Sequence, residues 1–171
     1  RGGKTPRIQY APVENIAMRL VHALQEDGRV NWTGLHKNTI FRALATLEDL
    51  GFILRKAPLI KVLPRAKAFV ENPNNRPFLF AEGALQLVSF SVFIEILKSK
   101  QIKGGTLLEL GHELQEKLKE NWKESTSETI AKIMLDWARH TNLAPGVFAK
   151  IRKGPIKGWK KKEDAQMSLF K

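Results

Sequence analysis

Cysteine is missing from this 171-residue chain, and its absence excludes two classes of protein. A chain without thiols cannot form a disulfide framework, and it cannot hold a metal through thiolate ligands. The four histidines are scattered and do not have the spacing of a metal-binding motif. We therefore expect a cytoplasmic protein that carries no metal and no other cofactor.

Long hydrophobic runs are also missing. A membrane-spanning helix needs about 20 consecutive apolar residues, whereas the most apolar stretch of this chain, residues 84–97, contains Gln86 and Glu95. We therefore expect no membrane span, no secretory signal and no membrane partner. The chain begins with Arg1 instead of Met, and we expect that it was trimmed at its start or cut from a longer protein.

The residue patterns that carry catalysis are missing as well. Acid pairs such as Glu113 with Glu116 have the spacing of helix-surface carboxylates, and no strand-borne set of acids and lysine suits a metal-dependent nuclease. There is no glycine-rich phosphate loop and no persuasive Ser/His/Asp order. We therefore predict that the chain is not an enzyme and that any active site lies in another chain or domain.

Positive charge, by contrast, is plentiful. The chain has 29 Lys and Arg residues against 17 Asp and Glu, a formal net charge of +12. The last 22 residues hold eight of the basic residues and two of the acidic ones, so half of the net charge lies there. Such an excess favours a polyanionic partner, because binding releases counterions from phosphates. The alternative is that the lysines only keep the protein soluble.

Residues 38–69 have the layout of a helix followed by a basic hairpin. Apolar residues occur with the spacing of one buried helix face, at Ile40, Phe41, Leu44, Leu47 and Leu50. The same spacing leaves four polar residues outside, namely Asn38, Thr39, Arg42 and Thr46. Gly51 follows where a helix ends in the left-handed conformation, and two strand-like runs, residues 52–54 and 59–63, are joined across residues 56–58. This order predicts a helix, a glycine stop and a two-stranded wing.

The segments on either side complete one predicted unit. Residues 12–28 have the pattern of a first helix, and residues 30–35 form either a short strand or the start of a brief second helix. Residues 64–70 have the pattern of a closing helix, and the turn-rich residues 71–77 predict a linker with a domain boundary near residue 74. Helix, short element, helix and hairpin is the order of the winged helix-turn-helix.

The second half of the chain predicts three further helices. Residues 78–100 form one long helix that is apolar on more than one side, and a second helix runs from Leu107 to Trp122. Ser125 and Glu128 have the spacing of a capping box that opens a third helix. We expect a second winged-helix-like unit with a structural or dimerising role, because its third helix mixes acidic with basic residues.

Two parts of the sequence resemble known families. The first half is similar to winged-helix domains in the runs TIFRALATLEDLGFI, FILRK and IKVLPRAKAF. The second half resembles the paired helical units attached to bacterial ATPases and restriction-type DNA enzymes, in AEGALQLVSFSVFIEIL and IAKIMLDWARHTNLA. The resemblance implies a mainly α fold with small β-wings (α+β), built as tandem winged helix-turn-helix units with a basic C-terminal tail. The predicted divisions are a basic arm over residues 1–10, a winged-helix domain over 11–73, a second helical, winged-helix-like domain over 77–148, and the tail over 149–171.

The predicted winged helix carries two sets of candidate DNA contacts. Arg pairs with guanine, Asn with adenine and Thr with the thymine methyl group. Because these residue types occur at the start of the helix before Gly51, we expect this helix to be the recognition helix and its first residues to read base edges. This first set is Lys37, Asn38, Thr39 and Arg42. The wing and its exit carry candidate backbone contacts, Arg55, Lys56, Lys61, Arg65 and Lys67, which would repel one another without a polyanion. The alternative for the helix is that polar residues fill the solvent side of any amphipathic helix.

The tail adds two further sets. Its candidate backbone contacts are Lys150, Arg152, Lys153, Lys157, Lys160, Lys161 and Lys162, with Trp159 among them to stack on a base or enter a groove. The final motif QMSLF resembles the bacterial sliding-clamp-binding pentapeptide Q-L-[S or D]-L-F. The resemblance implies clamp contacts by Gln166, Met167, Leu169 and Phe170. The alternatives are a solvated tail and an apolar end that packs on its own domain.

Together these features predict a non-catalytic, nucleoid-associated protein or module that recognises duplex DNA with a winged helix and a basic tail. We expect it to serve in a larger DNA-processing assembly for defence, transposition or replication, with protein partners and a sliding clamp. Structured RNA offers similar phosphate chemistry. Three alternatives stay open, namely a stand-alone transcriptional regulator, a protein-interaction adaptor tethered to a sliding clamp, and a nuclease fragment whose catalytic domain precedes Arg1.

Overall fold

A computed structural model describes residues 5–56, 58–99 and 105–143, together with the backbone of Ile151–Arg152. Its elements are α1 Tyr10–Gln25, α2 Lys37–Asp49, β1 Ile53–Lys56, β2 Leu59–Val62, α3 Pro64–Glu71, α4 Arg76–Ala84, α5 Val88–Ser99, β3 Gly105–Thr106, α6 Leu107–Leu118, α7 Glu124–Thr141 and β4 Ile151–Arg152. The strands pair as an antiparallel hairpin, β1–β2, and a parallel pair, β3–β4. The described chain is mainly helical with a small β component, which confirms the predicted fold at this level.

The connection between α1 and α2 contains neither of the elements predicted at residues 30–35. Its backbone turns instead at Gly34, whose φ is +82°. Arg19 of α1 donates from Nη1 to the carbonyl oxygens of Asn31, at 2.6 Å, and of Thr33, at 2.9 Å. These two carbonyl groups accept hydrogen bonds from a side chain, whereas in a helix or a strand they would accept them from backbone N–H groups. The prediction of a strand or brief helix here was therefore wrong.

Gly51 ends α2 as the sequence predicts. Its φ is +75°, a conformation that glycine adopts without strain, and its N–H donates to the carbonyl of Glu48 at 3.1 Å. The chain enters β1 two residues later, and α3 returns after the hairpin to pack against α1 and α4. The hairpin is therefore held at the C-terminal end of α2.

The prediction of one long helix over residues 78–100 was wrong. The chain bends by 110° between Pro73–Ala84, which comprises α4 and the turn before it, and α5. α4 ends in close contact with α2, since a Cβ on Gly83 would lie 2.6 Å from the carbonyl oxygen of Leu50. The hydroxyl of Ser91 then donates to the carbonyl of Leu85 at 2.6 Å and satisfies it at the bend. No single helix in the described ranges is long and apolar enough to cross a membrane, and α4 and α5 pass that test only as a bent pair.

α7 does not begin with the predicted capping box. It starts at Glu124, its N-cap residue Lys123 makes no side-chain cap, and Ser125 lies inside the helix. Ser127 is buried and donates from its hydroxyl to Oε1 of Gln115 on α6 at 2.8 Å. Ser127, which lies within the predicted box, therefore serves the packing of α7 on α6, and the capping-box prediction was wrong.

One core joins the two halves of the chain. Tyr10 of α1 packs edge-on against Phe80 of α4, with ring centroids 4.8 Å apart, and Phe80 packs edge-on against Trp137 of α7 at 5.0 Å. All three rings are buried. The predicted boundary near residue 74 falls in a turn of 3-10 helix, Pro73–Asn75, and the core continues across it.

Candidate nucleic-acid interface

The N-terminal half of α2 presents a polar, cationic surface. The helix begins after His36, whose Nδ1 accepts a hydrogen bond from the N–H of Asn38 at 3.2 Å and so caps the helix. Lys37, Asn38 and Arg42 are exposed, and Thr39 is half-buried. Three of the four predicted base contacts therefore face solvent.

The buried face of α2 is rotated from the predicted one. Ala43, Leu47 and Leu50 are fully buried, whereas Phe41 is 66% exposed and Thr46 is only 6% exposed. A helix turns by about 100° per residue, so Phe41 lies about 200° around the axis from Ala43. The predictions of a buried Phe41 and an exposed Thr46 were therefore wrong, and the phenyl ring belongs to the outer surface.

The hairpin β1–β2 has an outer face made of leucine and lysine. Its register sets Leu54 opposite Lys61 and Lys56 opposite Leu59. These four side chains are exposed, and we call them the outer wing face. Among the residues that the structure describes, no acidic side chain forms an ion pair with Lys56 or Lys61. Both charges are therefore directed to solvent.

Arg55 lies on the opposite face of the hairpin and is engaged within the protein. Its Nη2 lies 3.1 Å from Oε1 of Glu48, and its guanidinium carbon lies 5.8 Å from the ring centroid of Phe41. The predicted repulsion of the wing cations in the absence of a polyanion was therefore wrong for Arg55, because the carboxylate of Glu48 balances its charge.

Arg65 is engaged in the same way at the end of α2. It donates to the carbonyl oxygen of Leu50 at 2.8 Å, and its Nη2 lies 3.3 Å from Oε1 of Glu82. The predicted repulsion of the wing cations was therefore also wrong for Arg65, because Glu82 balances its charge. Lys67 of α3 is exposed, and no ion pair involves it in the described part of the chain.

A cleft separates the outer side of α2 from α7. Three adjoining pockets of about 230, 270 and 370 Å³ form this α2–α7 cleft, and Arg7 and Arg42 line all three. Thr39 of α2 and Thr129 and Lys132 of α7 line the largest. Arg7 and Lys132 were not among the predicted DNA contacts. The basic arm was the only signal for Arg7, and no local pattern indicates that α7 lies beside α2.

The tail enters the described part of the structure only at Ile151–Arg152. The backbone of these two residues pairs with β3, with Gly105 opposite Ile151 and Thr106 opposite Arg152. The other predicted tail and clamp contacts lie outside the described residues, and they are Lys150, Lys153, Lys157, Trp159, Lys160, Lys161, Lys162, Gln166, Met167, Leu169 and Phe170.

No family model, curated protein or solved structure matches this chain. Among the described residues, no group of three or more histidine, aspartate or glutamate side chains could hold a metal ion. The candidate interface consists of α2, the outer wing face and the α2–α7 cleft.

Proposed function

We propose that this chain is a non-catalytic module that binds duplex DNA, with α2 as the reading helix and β1–β2 as its wing. One observation carries the proposal. α2 begins with exposed cationic residues and leads at its other end into a hairpin whose outer face carries two lysines without acidic partners in the described chain. This combination, in a protein of net charge +12, suits a phosphate-rich partner.

The dimensions of α2 suit a major groove. An α-helix with its side chains is about 10–12 Å across, which matches the width of about 12 Å of the major groove of B-DNA. The 13 residues of α2 give it a length of about 20 Å. In helix-turn-helix proteins the N-terminal residues of the reading helix contact base edges. We assign Arg42 to guanine and Asn38 to adenine, with Lys37 beside them, while the half-buried Thr39 faces the cleft.

The outer wing face supplies contacts to the DNA backbone. Lys56 and Lys61 meet phosphates without first breaking an ion pair. Arg55 and Arg65 would have to leave their carboxylates to do so, and we propose that they support the wing and the end of α2 instead. Lys67 is exposed and stays a candidate backbone contact.

We also propose a tandem winged-helix arrangement. The first unit would consist of α1, α2, the hairpin and α3, and the second of α5, α6 and α7, with the pair β3–β4 in place of a hairpin. In this proposal the basic tail follows the DNA backbone and the QMSLF motif recruits a sliding clamp. The module would then act within a larger DNA-processing assembly.

Fluorescence anisotropy with labelled duplex DNA over a salt series tests the proposed function. The affinity of the intact chain should fall steeply with salt. The triple variant with Lys37→Ala, Asn38→Ala and Arg42→Ala should lose its preference among duplexes selected from a random pool and keep part of its non-specific binding. A truncation after Ala149 should lower the salt slope. A chain that does not bind duplex DNA at low salt would overturn the proposal.

Exposed apolar residues favour one second candidate, a protein-interaction adaptor. Phe41, Leu54 and Leu59 are large and exposed, and they adjoin the cationic residues of α2 and the wing. Reversal of charge at Lys56 and Lys61 should abolish DNA binding if the first function is right. In an adaptor, Leu54→Ser and Leu59→Ser should remove partner binding, and the charge reversal should leave it intact.

A further inference from the structure

The α2–α7 cleft has the composition of a ligand site. Arg7 and Arg42 border all three of its pockets, and Lys132 adds a third cation at the largest. Of the described residues that line these pockets, Asp49 alone is acidic, and it borders the smallest pocket, which Lys132 does not line. The cleft therefore has a local excess of positive charge.

Arg7 is held at this cleft by the residues that follow it in the chain. Trp137 donates from Nε1 to the carbonyl oxygen of Ile8 at 2.9 Å, and the N–H of Tyr10 donates to Oδ2 of Asp136 at 2.8 Å. Ile8 is buried and the side chain of Arg7 is exposed. The backbone beside Arg7 is thus fixed to α7, so the binding of a ligand requires the ordering of the Arg7 side chain but not of its backbone.

The remaining lining suits an oxyanion. Hydrogen-bonding side chains come from both helices, namely Asn38, Thr39, Ser125 and Thr126. Thr129 also lines the cleft, but its hydroxyl donates to the carbonyl oxygen of Ser125 at 2.8 Å. Guanidinium groups bind phosphate through two parallel N–H bonds, and hydroxyl groups donate to its other oxygens. Within the described residues, no acidic side chain forms an ion pair with Arg7, Arg42 or Lys132. Three cations around one space repel one another until an anion enters.

We infer that the α2–α7 cleft binds a phosphate group. If the proposed DNA function is right, this group is a phosphate of the DNA backbone, beside the groove that α2 enters. The choice of this source rests on the proposed function. A free phosphate has the same chemistry and is the other source. With DNA as the source, the second half of the chain takes part in binding directly, because α7 brings Lys132 to the phosphate that Arg7 approaches, next to the base assigned to Arg42.

The first test needs no DNA and uses the full chain with inorganic phosphate as the probe. The backbone amide resonances of Thr39 and Thr129, one on each side of the cleft, are followed as phosphate is added. We expect both resonances to shift in the intact chain and in Lys98→Gln, a charge-matched control on α5. Both shifts should be lost in Lys132→Gln.

The second test measures duplex DNA affinity against salt. Arg7→Gln and Lys132→Gln should each weaken binding about 3- to 10-fold and lower the salt slope by about 1, whereas Lys98→Gln should change neither. Arg7→Lys keeps the charge and should restore the salt slope and part of the affinity, which a purely structural role of the guanidinium would not produce, but it should bind more weakly than the intact chain because lysine cannot form the two parallel bonds.

The outcomes separate this inference from the proposed function. A lowered salt slope in the cleft variants supports the site with DNA as its source, with or without shifts on free phosphate. Phosphate shifts in a chain that does not bind DNA support the site with free phosphate as its source and overturn the proposed function alone. Absence of phosphate shifts, together with either unchanged salt slopes or no DNA binding, would overturn the inference.

Discussion

Arg55 of β1 is bonded to Glu48 of α2 through both its side chain and its backbone. Its Nη2 lies 3.1 Å from Oε1 of Glu48, and its N–H donates to Oε2 at 3.0 Å. The two side chains are 31% and 26% exposed, so water screens the pair only in part. One carboxylate therefore ties the hairpin to the helix.

Removal of this carboxylate should weaken the fold. We expect Glu48→Ala to lower the free energy of unfolding by about 1–2 kcal/mol, because it leaves a half-buried guanidinium and an N–H without their acceptor. Urea unfolding followed by circular dichroism measures the change. Lys56→Ala, which removes an exposed side chain from the next position, should cost less than about 0.5 kcal/mol. Similar costs for the two variants would show that the bond to Glu48 does not hold the hairpin.

Gly111 sets the approach of α6 to α7. A Cβ at this position would overlap the carbonyl group of Ser127, so a larger residue must push the helices apart. We expect Gly111→Ala to lower the free energy of unfolding by about 1–3 kcal/mol. Gly105→Ala is the control, since its Cβ would come no closer than 3.4 Å to Oε2 of Glu109. If both variants unfold at the same urea concentration, the two helices do not pack this closely.

The helix, the stop and the hairpin around Gly51 could be predicted because their causes are local. The left-handed φ of Gly51 favours glycine, and two adjacent apolar runs with a short connection pair as a hairpin. The exposure of Lys56 and Lys61 follows from the alternation of side chains along a strand.

The sequence-based predictions were wrong or incomplete where the structure depends on contacts between residues far apart in the sequence. The end of α4 depends on the approach of Gly83 to Leu50, which no pattern within residues 78–100 indicates. The α2–α7 cleft joins Arg7 and Lys132, which lie near opposite ends of the described chain. Composition alone predicted a basic arm, and only the packing of Ile8 and Tyr10 on α7 places one of its arginines beside α2.

Tyr10 is the only tyrosine in the chain, so its ionisation can be followed alone. Burial raises the pKa of its hydroxyl well above the usual value of about 10. The charge of Glu14 and a hydrogen bond with it raise this pKa further, and Arg76 lowers it. The folded state keeps this proton where the unfolded state has lost it, so the stability that Tyr10 contributes falls as the pH rises above about 10.

We therefore expect no phenolate absorbance from the folded chain at a pH just above the usual tyrosine pKa. The absorbance should rise only as the helical circular dichroism signal is lost at higher pH. The chain denatured in urea is the control, and its tyrosine should titrate with a pKa of about 10. A phenolate that forms at that pH in a chain with full helical signal would contradict the buried position of Tyr10.

In the proposed complex, DNA lies along α2 and the outer wing face and is not attracted by net charge alone. The DNA affinities of two double variants with equal loss of charge distinguish these two possibilities. One carries Lys56→Gln and Lys61→Gln on the wing, and the other carries Lys98→Gln and Lys117→Gln, at exposed positions of α5 and α6.

Fluorescence anisotropy over a salt series gives the affinity and the salt slope of each variant. We expect the wing variant to bind duplex DNA about 10- to 100-fold more weakly than the intact chain, with a slope lower by about 2. The control variant should lose less than about threefold. An equal loss in both variants, or no loss in the wing variant, would contradict the placement of DNA on this surface.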